Sequence, residues 1–191
     1  MHDDPYFGTP GNQGEAVIWG QQLGAEIAHL SGYQGHGSVA HPHGILVTWA
    51  LMMEGGIQVN RLGKRFSNEH QGYSEQAVSV LAQPDRIAFN IFDERLCELG
   101  RGFEDFRVAE EAQAIIRADT PAELAEKLGI NPDDLTETLA VCSAFSQSGE
   151  ADSFGRIFNS EKQLTPPYCA VRVTGALFHT QGGLVVNEKA Q

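Results

Sequence analysis

The stretch Gly55-Gly56-Ile57-Gln58-Val59-Asn60 is followed by Leu62-Gly63-Lys64-Arg65-Phe66 and then by Asn68-Glu69. The two glycines stop a preceding helix, and Ile57 and Val59 alternate with polar residues in the period-2 pattern of a strand. A turn containing Gly63 follows, and Arg65 resumes an extended chain. The pattern predicts a β-hairpin whose exit carries Asn68 and Glu69.

The residues before this hairpin predict a lead-in, a helix, a polar loop and a second helix. Proline and glycine make residues 1–13 irregular, and a helix is expected to begin near Gly14. Residues 31–44 are rich in glycine and histidine without periodicity, which predicts a loop or a short extended segment. Residues 45–53 form a nearly continuous apolar run, and the glycines after it favour a helix over a strand.

The residues after the hairpin predict a helix over residues 74–81 and an alternating strand over residues 86–92. Near the other end, residues 168–173 are rich in β-formers and predict a strand. A last short strand is expected over residues 184–186.

Two further helices are predicted from their end signals. The capping box Thr120-Pro121-Ala122-Glu123 begins one helix, which Gly129 ends. Asn131-Pro132 begins the next, which stops before Gly149. Together they form an αα-hairpin.

The composition describes an acidic globular chain. Its 191 residues are 41% hydrophobic and 20% charged, which is enough for one sizeable core. The formal charge of −12, with 13 scattered Lys and Arg, argues against nucleic acid as a partner. No apolar run reaches the roughly 18–20 residues of a membrane span, and Met1-His2-Asp3-Asp4 lacks a signal-peptide pattern, so a cytoplasmic location is expected.

The cysteines and paired histidines predict neither a disulfide nor a metal site. Cys97, Cys142 and Cys169 are odd in number and lack C-x-x-C spacing, which indicates buried thiols in a reducing compartment. His41 and His43 would share one face of a strand, but no third ligand lies near them in sequence.

The ordered set of motifs, completed by His179-Thr180-Gln181-Gly182-Gly183, resembles a known family. It is similar to the substrate-cap region of the fumarate reductase/succinate dehydrogenase flavoproteins and of their relatives, the 3-ketosteroid dehydrogenases. The resemblance implies an α+β fold, in which a cap of a small β-hairpin or sheet with packed helices is flanked by pieces of the FAD-binding domain. It places FAD-domain segments at residues 1–43 and 173–191 and the cap at residues 44–172.

The family's chemistry is hydride transfer between FAD and a carbon–carbon bond next to a carbonyl or carboxylate. By resemblance, His36 and His179 hold the substrate oxygen. Tyr73 stands where fumarate reductases place an acid arginine, and Trp49 and Met52 stand where the proton relay to that arginine would be. The 3-ketosteroid dehydrogenases carry a tyrosine at this place, so ketone dehydrogenation is favoured over fumarate reduction, with Tyr73 exchanging the proton.

Each of these residues also has a structural alternative. Tyr73 would pack over a helix start with a satisfied hydroxyl. His179 would cap the last hairpin, and His36 would be a solvated loop histidine.

The resemblance implies two pairs of adjacent cofactor residues, one of two glycines and one of a glycine and a glutamate. Gly182 and Gly183 would let the backbone approach the flavin closely. Gly14 and Glu15 are similar to a G-D pair at the family's cofactor helix.

No G-x-G-x-x-G motif is present, so most FAD contacts are expected from regions outside this chain. The chain alone should be inactive, pack against that missing domain and self-associate when isolated. Two alternatives stay open: an autonomous interaction domain that presents residues 120–149 to a partner protein, and the cap of a true fumarate or succinate oxidoreductase.

Overall fold

A six-stranded antiparallel sheet organises residues 5–189, the range described by this computed structural model. The α-helices of the described residues are α1 Glu15–Gln22, α2 Ala50–Met53, α3 Tyr73–Leu81, α4 Glu94–Gly100, α5 Glu104–Glu111, α6 Pro121–Leu128 and α7 Pro132–Ser148. The strands are β1 Ile27–Ala28, β2 Tyr33–Ala40, β3 Ile45–Leu46, β4 Ile57–Val59, β5 Ala88–Asp93, β6 Ile115–Ala118, β7 Tyr168–Thr180 and β8 Gly183–Leu184, of which β1 and β8 form a separate pair. The mixed helix-and-sheet class expected from the sequence is confirmed.

The 13-residue strand β7 is the centre of the sheet. One edge of β7 pairs with β5, and β4 pairs with the far side of β5. The other edge pairs with β6 over residues 168–171 and with β2 over residues 173–180, and β3 lies outside β2. The strand β7 therefore connects residues far apart in sequence.

Two hydrophobic clusters cover the two faces of the sheet. Along β5, Ala88 and Phe92 belong to one cluster, whereas Phe89 and Ile91 belong to the other. This alternation follows from the period of 2 in a strand. Helices α4 and α5 contribute to the first cluster, and α6 and α7 contribute to the second.

A smaller layer is built from α1, β1 and β8. The strands β1 and β8 pair antiparallel, and α1 packs on them where Gly20 faces Leu184. Apolar side chains stay exposed on this layer: Ile18, Trp19, Leu23, Val185 and Val186.

The end signals read from the sequence are confirmed. The Thr120 side chain accepts a hydrogen bond from the Glu123 amide at the start of α6, and Gly129 ends that helix with a φ of 69°. Asn131 caps α7 in the same way. The predicted helix at 74–81 and strand at 86–92 are also present, as α3 and β5.

Three local predictions need correction. Residues 31–44, expected to be a loop or a short extended segment, contain the longer, eight-residue strand β2. The strand forms because β7 pairs with its backbone groups, although the segment has no strong strand pattern of its own. The apolar run 45–53 is not one helix, since residues 45–46 pair as β3 and the helix is confined to α2.

The opening hairpin is also wrong in its pairing. Asn60 and Lys64 do close a turn, with the Asn60 amide donating to the Lys64 carbonyl oxygen at 3.0 Å. However, β4 pairs with β5, not with the chain at Arg65. The side chain of Arg65 instead turns inward to form ion pairs with Glu69 and Asp152.

The expected segment boundaries stay predictions. Strand β7 runs continuously across residue 173, and β2 from the first segment pairs with it. Residues 1–4, on which the expectation about a signal peptide depends, lie outside the described residues. Within residues 5–189, no helix has the length and apolar content needed to cross a membrane.

Candidate active site

An open pocket of about 470 Å³ lies where β2, the end of β7 and the start of α3 meet. It is lined by Gln34, His36, Leu46, Thr48, Trp49, Ala50, Tyr73, Phe103, Asp105, Phe178 and His179. All three residues predicted to be catalytic from the sequence are on this list, although they come from separate parts of the chain. Their catalytic roles stay predictions.

The register between β2 and β7 positions the two histidines. Gln34 lies opposite His179, and His36 lies opposite Ala176, with an irregularity between the two pairs. The structure thus places His36 in a strand and His179 near the end of one, not in the loops expected from the sequence. His179 is exposed at the rim, while His36 is 8% exposed.

Two glycines let α3 lie directly on the sheet. A Cβ on Gly37 would come within 2.8 Å of the Gln76 carbonyl carbon, and one on Gly175 would lie 2.8 Å from the Ala77 oxygen. The Gly35 amide also donates to Ser74 Oγ at 3.1 Å. This close approach brings Tyr73, the first residue of α3, beside His36.

His36 and Tyr73 stack with their ring centroids 5.0 Å apart and their planes 17° apart. Trp49 meets the His36 ring edge-on at 5.8 Å, and Phe178 lies 5.4 Å away. The imidazole is therefore enclosed by aromatic rings. Burial in these surroundings lowers the pKa of His36 to about 4, so the ring is neutral at pH 7.

The tautomer of His36 follows from its one backbone contact. The Ser38 amide donates to His36 Nδ1 at 3.2 Å, which makes Nδ1 the acceptor. In a neutral imidazole the proton then resides on Nε2. His36 can thus donate a hydrogen bond to a substrate oxygen without carrying a positive charge.

Tyr73 has a side-chain partner that the sequence did not reveal. Gln34 Nε2 donates a hydrogen bond to the Tyr73 hydroxyl, and Gln34 Oε1 accepts one from Gln181 at 3.4 Å. Tyr73 remains 38% exposed, so its hydroxyl is open to the pocket. Gln34 holds the phenol from the neighbouring strand.

A buried polar network supports the floor of the site. Gln58 donates to the Gly37 carbonyl oxygen and to Asn90, each at 2.8 Å. Asn90 in turn donates to Ser38 Oγ at 2.6 Å, next to the amide that contacts His36. Gln76 on α3 donates to Gln58 at 2.8 Å, which ties the helix to the same network.

The described lining of the pocket carries few charged side chains. Among the described residues that line it, the charged side chain is Asp105, and neither lysine nor arginine is present. Trp49, at one of the two positions where the resemblance places the proton relay, lines the wall of the pocket. Met52, at the other relay position, is fully buried in the core.

Sequence reasoning missed Gln34, Phe103, Asp105 and Phe178 because they reach the pocket only through tertiary packing. Gln34 stands two residues before His36, and this Gln34-Gly35-His36 spacing, which resembles the family's Q-x-H pattern, was the available signal. Phe103 and Asp105 come from a region that carried no local motif.

The four predicted cofactor residues all lie at the α1–β8 layer. An added Cβ would meet nothing within 4 Å at Gly14 or at Gly183, so both leave backbone open to a cofactor. At Gly182 it would come within 2.1 Å of the His29 carbonyl oxygen, so packing alone requires that glycine. Glu15 accepts a hydrogen bond from the Gln13 amide at 3.1 Å and stabilises the start of α1.

A second pocket, of about 320 Å³, lies between α7 and the loop that carries Arg156. None of the sequence-predicted site residues lines it. Arg156 is held there by Glu69, and both side chains are buried. We therefore regard the pocket at His36 and Tyr73 as the candidate active site.

The fold and this site define a flavoprotein domain, and the chain matches the family described as FAD binding domain over residues 2–191. It belongs to that family, and its cofactor is FAD.

Individual relatives are reductases and dehydrogenases. The chain is 29% identical over 182 residues to a fumarate reductase (cytochrome) of Shewanella frigidimarina, covering 95% of this chain and 31% of the relative. It is 27% identical to a 4-oxocyclohexanecarboxylate 2-dehydrogenase of Sinomonas cyclohexanicum, and the match covers 95% of this chain and 37% of the relative. A solved structure, the open conformation of a flavocytochrome c3 fumarate reductase, matches with a TM-score of 0.71 and 28% identity, covering 91% of this chain and 30% of that one. The chain spans about a third of the length of the curated relatives it matches.

Proposed function

We propose that this chain is the substrate-binding part of a longer FAD-dependent oxidoreductase that removes or adds hydrogen at the carbon–carbon bond next to a carbonyl. The observation that carries the proposal is the stacking of neutral His36 on Tyr73 in a pocket whose described lining has neither lysine nor arginine. A carboxylate dianion would have no cationic partner among these residues. A neutral ketone needs only hydrogen-bond donors and apolar walls.

The residues divide the work by their chemistry. His36 Nε2–H and the His179 imidazole donate to the substrate oxygen, which polarises the carbonyl and acidifies the neighbouring carbon. The Tyr73 hydroxyl exchanges the proton on that carbon, held in place by Gln34. Bound FAD supplies the hydride acceptor or donor for the adjacent carbon. Gly14 and Gly183 are the positions where this chain would approach the cofactor.

The name of one relative supports a ketone as the substrate class. The 4-oxocyclohexanecarboxylate 2-dehydrogenase is named for a molecule that carries a ketone and a carboxylate. Aromatic walls from Trp49, Phe103 and Phe178 suit a ring of this kind.

The proposal includes a role for the exposed apolar face of α1 and β8. Trp19 is 61% exposed and Leu23 is 89% exposed, which is unusual for large apolar side chains. This face would pack against the rest of the FAD-binding domain. Without that domain the isolated chain should be inactive, because most FAD contacts would be missing, and the exposed face should make it prone to self-association. Three free, buried cysteines support a reducing, cytoplasmic location.

The test is Tyr73→Phe in the complete FAD-loaded protein. Turnover with a cyclic ketone should fall by about 10²–10⁴, the range for loss of a general acid–base group, with FAD content unchanged. Tyr33→Phe is the matched control, because Tyr33 is a similarly exposed tyrosine on β2 outside the pocket lining. Wild-type turnover in Tyr73→Phe would disprove the proton role.

A further inference from the structure

Cys97 and Cys169, which are 72 residues apart in sequence, lie side by side in the core. Their Sγ atoms are 3.4 Å apart, and neither side chain is accessible to solvent. Cys97 comes from α4, and Cys169 comes from the second residue of β7. The redox chemistry of the proposed site does not use this pair.

A carboxylate completes the cluster. Glu94 begins α4, three residues before Cys97, so the two side chains lie on one face of the helix. Glu94 Oε2 is 3.8 Å from Cys169 Sγ, and one ligand atom from each of the three residues lies within 4.8 Å of the others. Thiolate sulfur and carboxylate oxygen are both accepted ligands of zinc.

From this geometry we propose that Glu94, Cys97 and Cys169 form a zinc site between α4 and β7. A tetrahedral ion with Zn–S bonds of about 2.3 Å and a Zn–O bond of about 2.0 Å places its two sulfurs about 3.8 Å apart and each sulfur about 3.5 Å from the oxygen. The sulfurs here are 3.4 Å apart and Cys169 Sγ lies 3.8 Å from Glu94 Oε2, so binding requires the sulfurs to separate by about 0.4 Å and the carboxylate to approach by about 0.3 Å. Three protein ligands leave the fourth tetrahedral position for water.

The surroundings allow entry and balance the charge. The Glu94 and Arg117 side chains, 36% and 38% exposed, both reach the buried sulfurs: Glu94 Oε2 is 3.8 Å from Cys169 Sγ, and Arg117 Nη2 is 3.9 Å from Cys97 Sγ. A cation enters as the partly exposed Arg117 guanidinium moves outward. Arg101 and Arg117 already pair with Glu94 and Glu110, so the carboxylates are neutralised. Binding breaks two S–H bonds, forms two Zn–S bonds and one Zn–O bond, and releases two protons to buffer. The net charge of the cluster is unchanged, and nothing is oxidised or reduced.

The direct test is native mass spectrometry of the purified chain with zinc added and then removed by a chelator. The expected result is one zinc ion per chain, seen as a mass increase over the metal-free chain equal to the mass of zinc minus that of two hydrogens. A mass two hydrogens lower without metal would show a disulfide and overturn the proposal. So would the absence of stoichiometric zinc.

Variants locate the site with a spectroscopic signal. Cobalt added to the chain should produce a thiolate-to-cobalt charge-transfer band. That band should be lost in Cys97→Ser and in Cys169→Ser, with at least 100-fold weaker binding. Cys142→Ser is the matched control, because Cys142 is also buried and free but lies outside the cluster, and it should retain the band.

A last measurement covers the case in which the serine variants fold poorly. In the unaltered chain, zinc should protect two of the three thiols from alkylation during partial unfolding, and peptide mapping should identify them as Cys97 and Cys169. Protection of Cys142, or equal modification of all three with and without zinc, would contradict the site. Each of these readouts is independent of enzyme turnover, so failure of the ketone proposal would leave them unchanged.

Discussion

The imidazole of His36 on β2 and the phenol of Tyr73 at the start of α3 stack face to face, 5.0 Å between centroids. The contact joins a strand and a helix that are separated in sequence by β3, α2, β4 and a long turn. It exists because Gly37 and Gly175 let the helix backbone touch the sheet. Four predictions test how this arrangement is held and what it does.

Acid should destabilise the fold through His36. The pKa of His36 is about 4 in the folded protein and 6.5 when unfolded, so between these values the unfolded chain binds more protons. Stability is then complete above pH 6.5 and is lost as the pH falls toward 4, by about 2–3 kcal/mol at pH 4.5. Urea unfolding at pH 7 and pH 4.5 measures this loss.

His36→Asn should show a smaller loss over the same interval, since Asn keeps an acceptor for the Ser38 amide but does not titrate. For each protein the difference between its stability at pH 7 and at pH 4.5 is compared. A cavity left by the substitution affects both pH values equally and so cancels in this difference. His43→Asn, on an exposed turn, is the control and should keep the wild-type difference. Equal differences in wild type and His36→Asn would show that another group is responsible.

Gly37→Ala should separate α3 from the sheet. The new methyl would lie 2.8 Å from the Gln76 carbonyl carbon and 2.9 Å from the Ala77 nitrogen, so the helix backbone must move. We expect a cost of about 1–3 kcal/mol, measured by denaturant titration. The complete protein should also lose turnover, because Tyr73 moves away from His36.

Gly11→Ala is the control for this steric argument. Its Cβ would meet only Thr9 Oγ1, at 3.8 Å, on an exposed loop. It should change stability by less than about 0.5 kcal/mol. A Gly37→Ala protein as stable as Gly11→Ala would mean that the close approach is not required.

Removing the charge of Glu69 should be strongly destabilising. Burial alone would raise the pKa of Glu69, but hydrogen bonds from Arg65 and the charges of Arg156 and Arg65 outweigh it and lower the pKa. Glu69→Gln leaves two buried guanidiniums with less negative charge, at a cost of about 3–5 kcal/mol in urea unfolding.

Glu54→Gln provides the comparison. Glu54 pairs with Lys162 at 2.8 Å, but both side chains are more than a third exposed. Its loss should cost under about 1 kcal/mol. If the two variants were equally stable, the buried network would not contribute as proposed.

Gln34→Leu should slow turnover without abolishing binding. Leucine has a similar size but cannot donate to the Tyr73 hydroxyl, and one lost hydrogen bond corresponds to about 1 kcal/mol. We expect kcat to fall about 5–10-fold in the complete protein, with a smaller change in KM. Gln147→Leu, at an exposed position of α7 outside the pocket lining, is the control, and an unchanged kcat in Gln34→Leu would rule out a positioning role.

Local signals in the sequence were sufficient to predict helices whose ends are set by residues close to them in sequence, such as α6 and α7. The caps at Thr120, Gly129 and Asn131 were read correctly because each satisfies backbone groups within a few residues. The family register also brought His36, Tyr73 and His179 forward as candidates. The structure places all three in one pocket.

What the sequence left open are pairings between distant segments. Strand β2 has little β pattern of its own and forms because β7 supplies its partners, while β4 pairs with β5 and not with its nearest neighbour. The Gln34–Tyr73 hydrogen bond and the Cys97–Cys169 contact likewise span 39 and 72 residues. The sequence by itself determined the ends of α6 and α7, the family and the candidate residues, because these depend on local backbone chemistry and motif order. Only the tertiary structure decided which strands pair, how closely α3 approaches the sheet and which side chains meet. The reason is that burial and hydrogen bonding stabilise contacts between residues far apart in sequence, which no local pattern predicts.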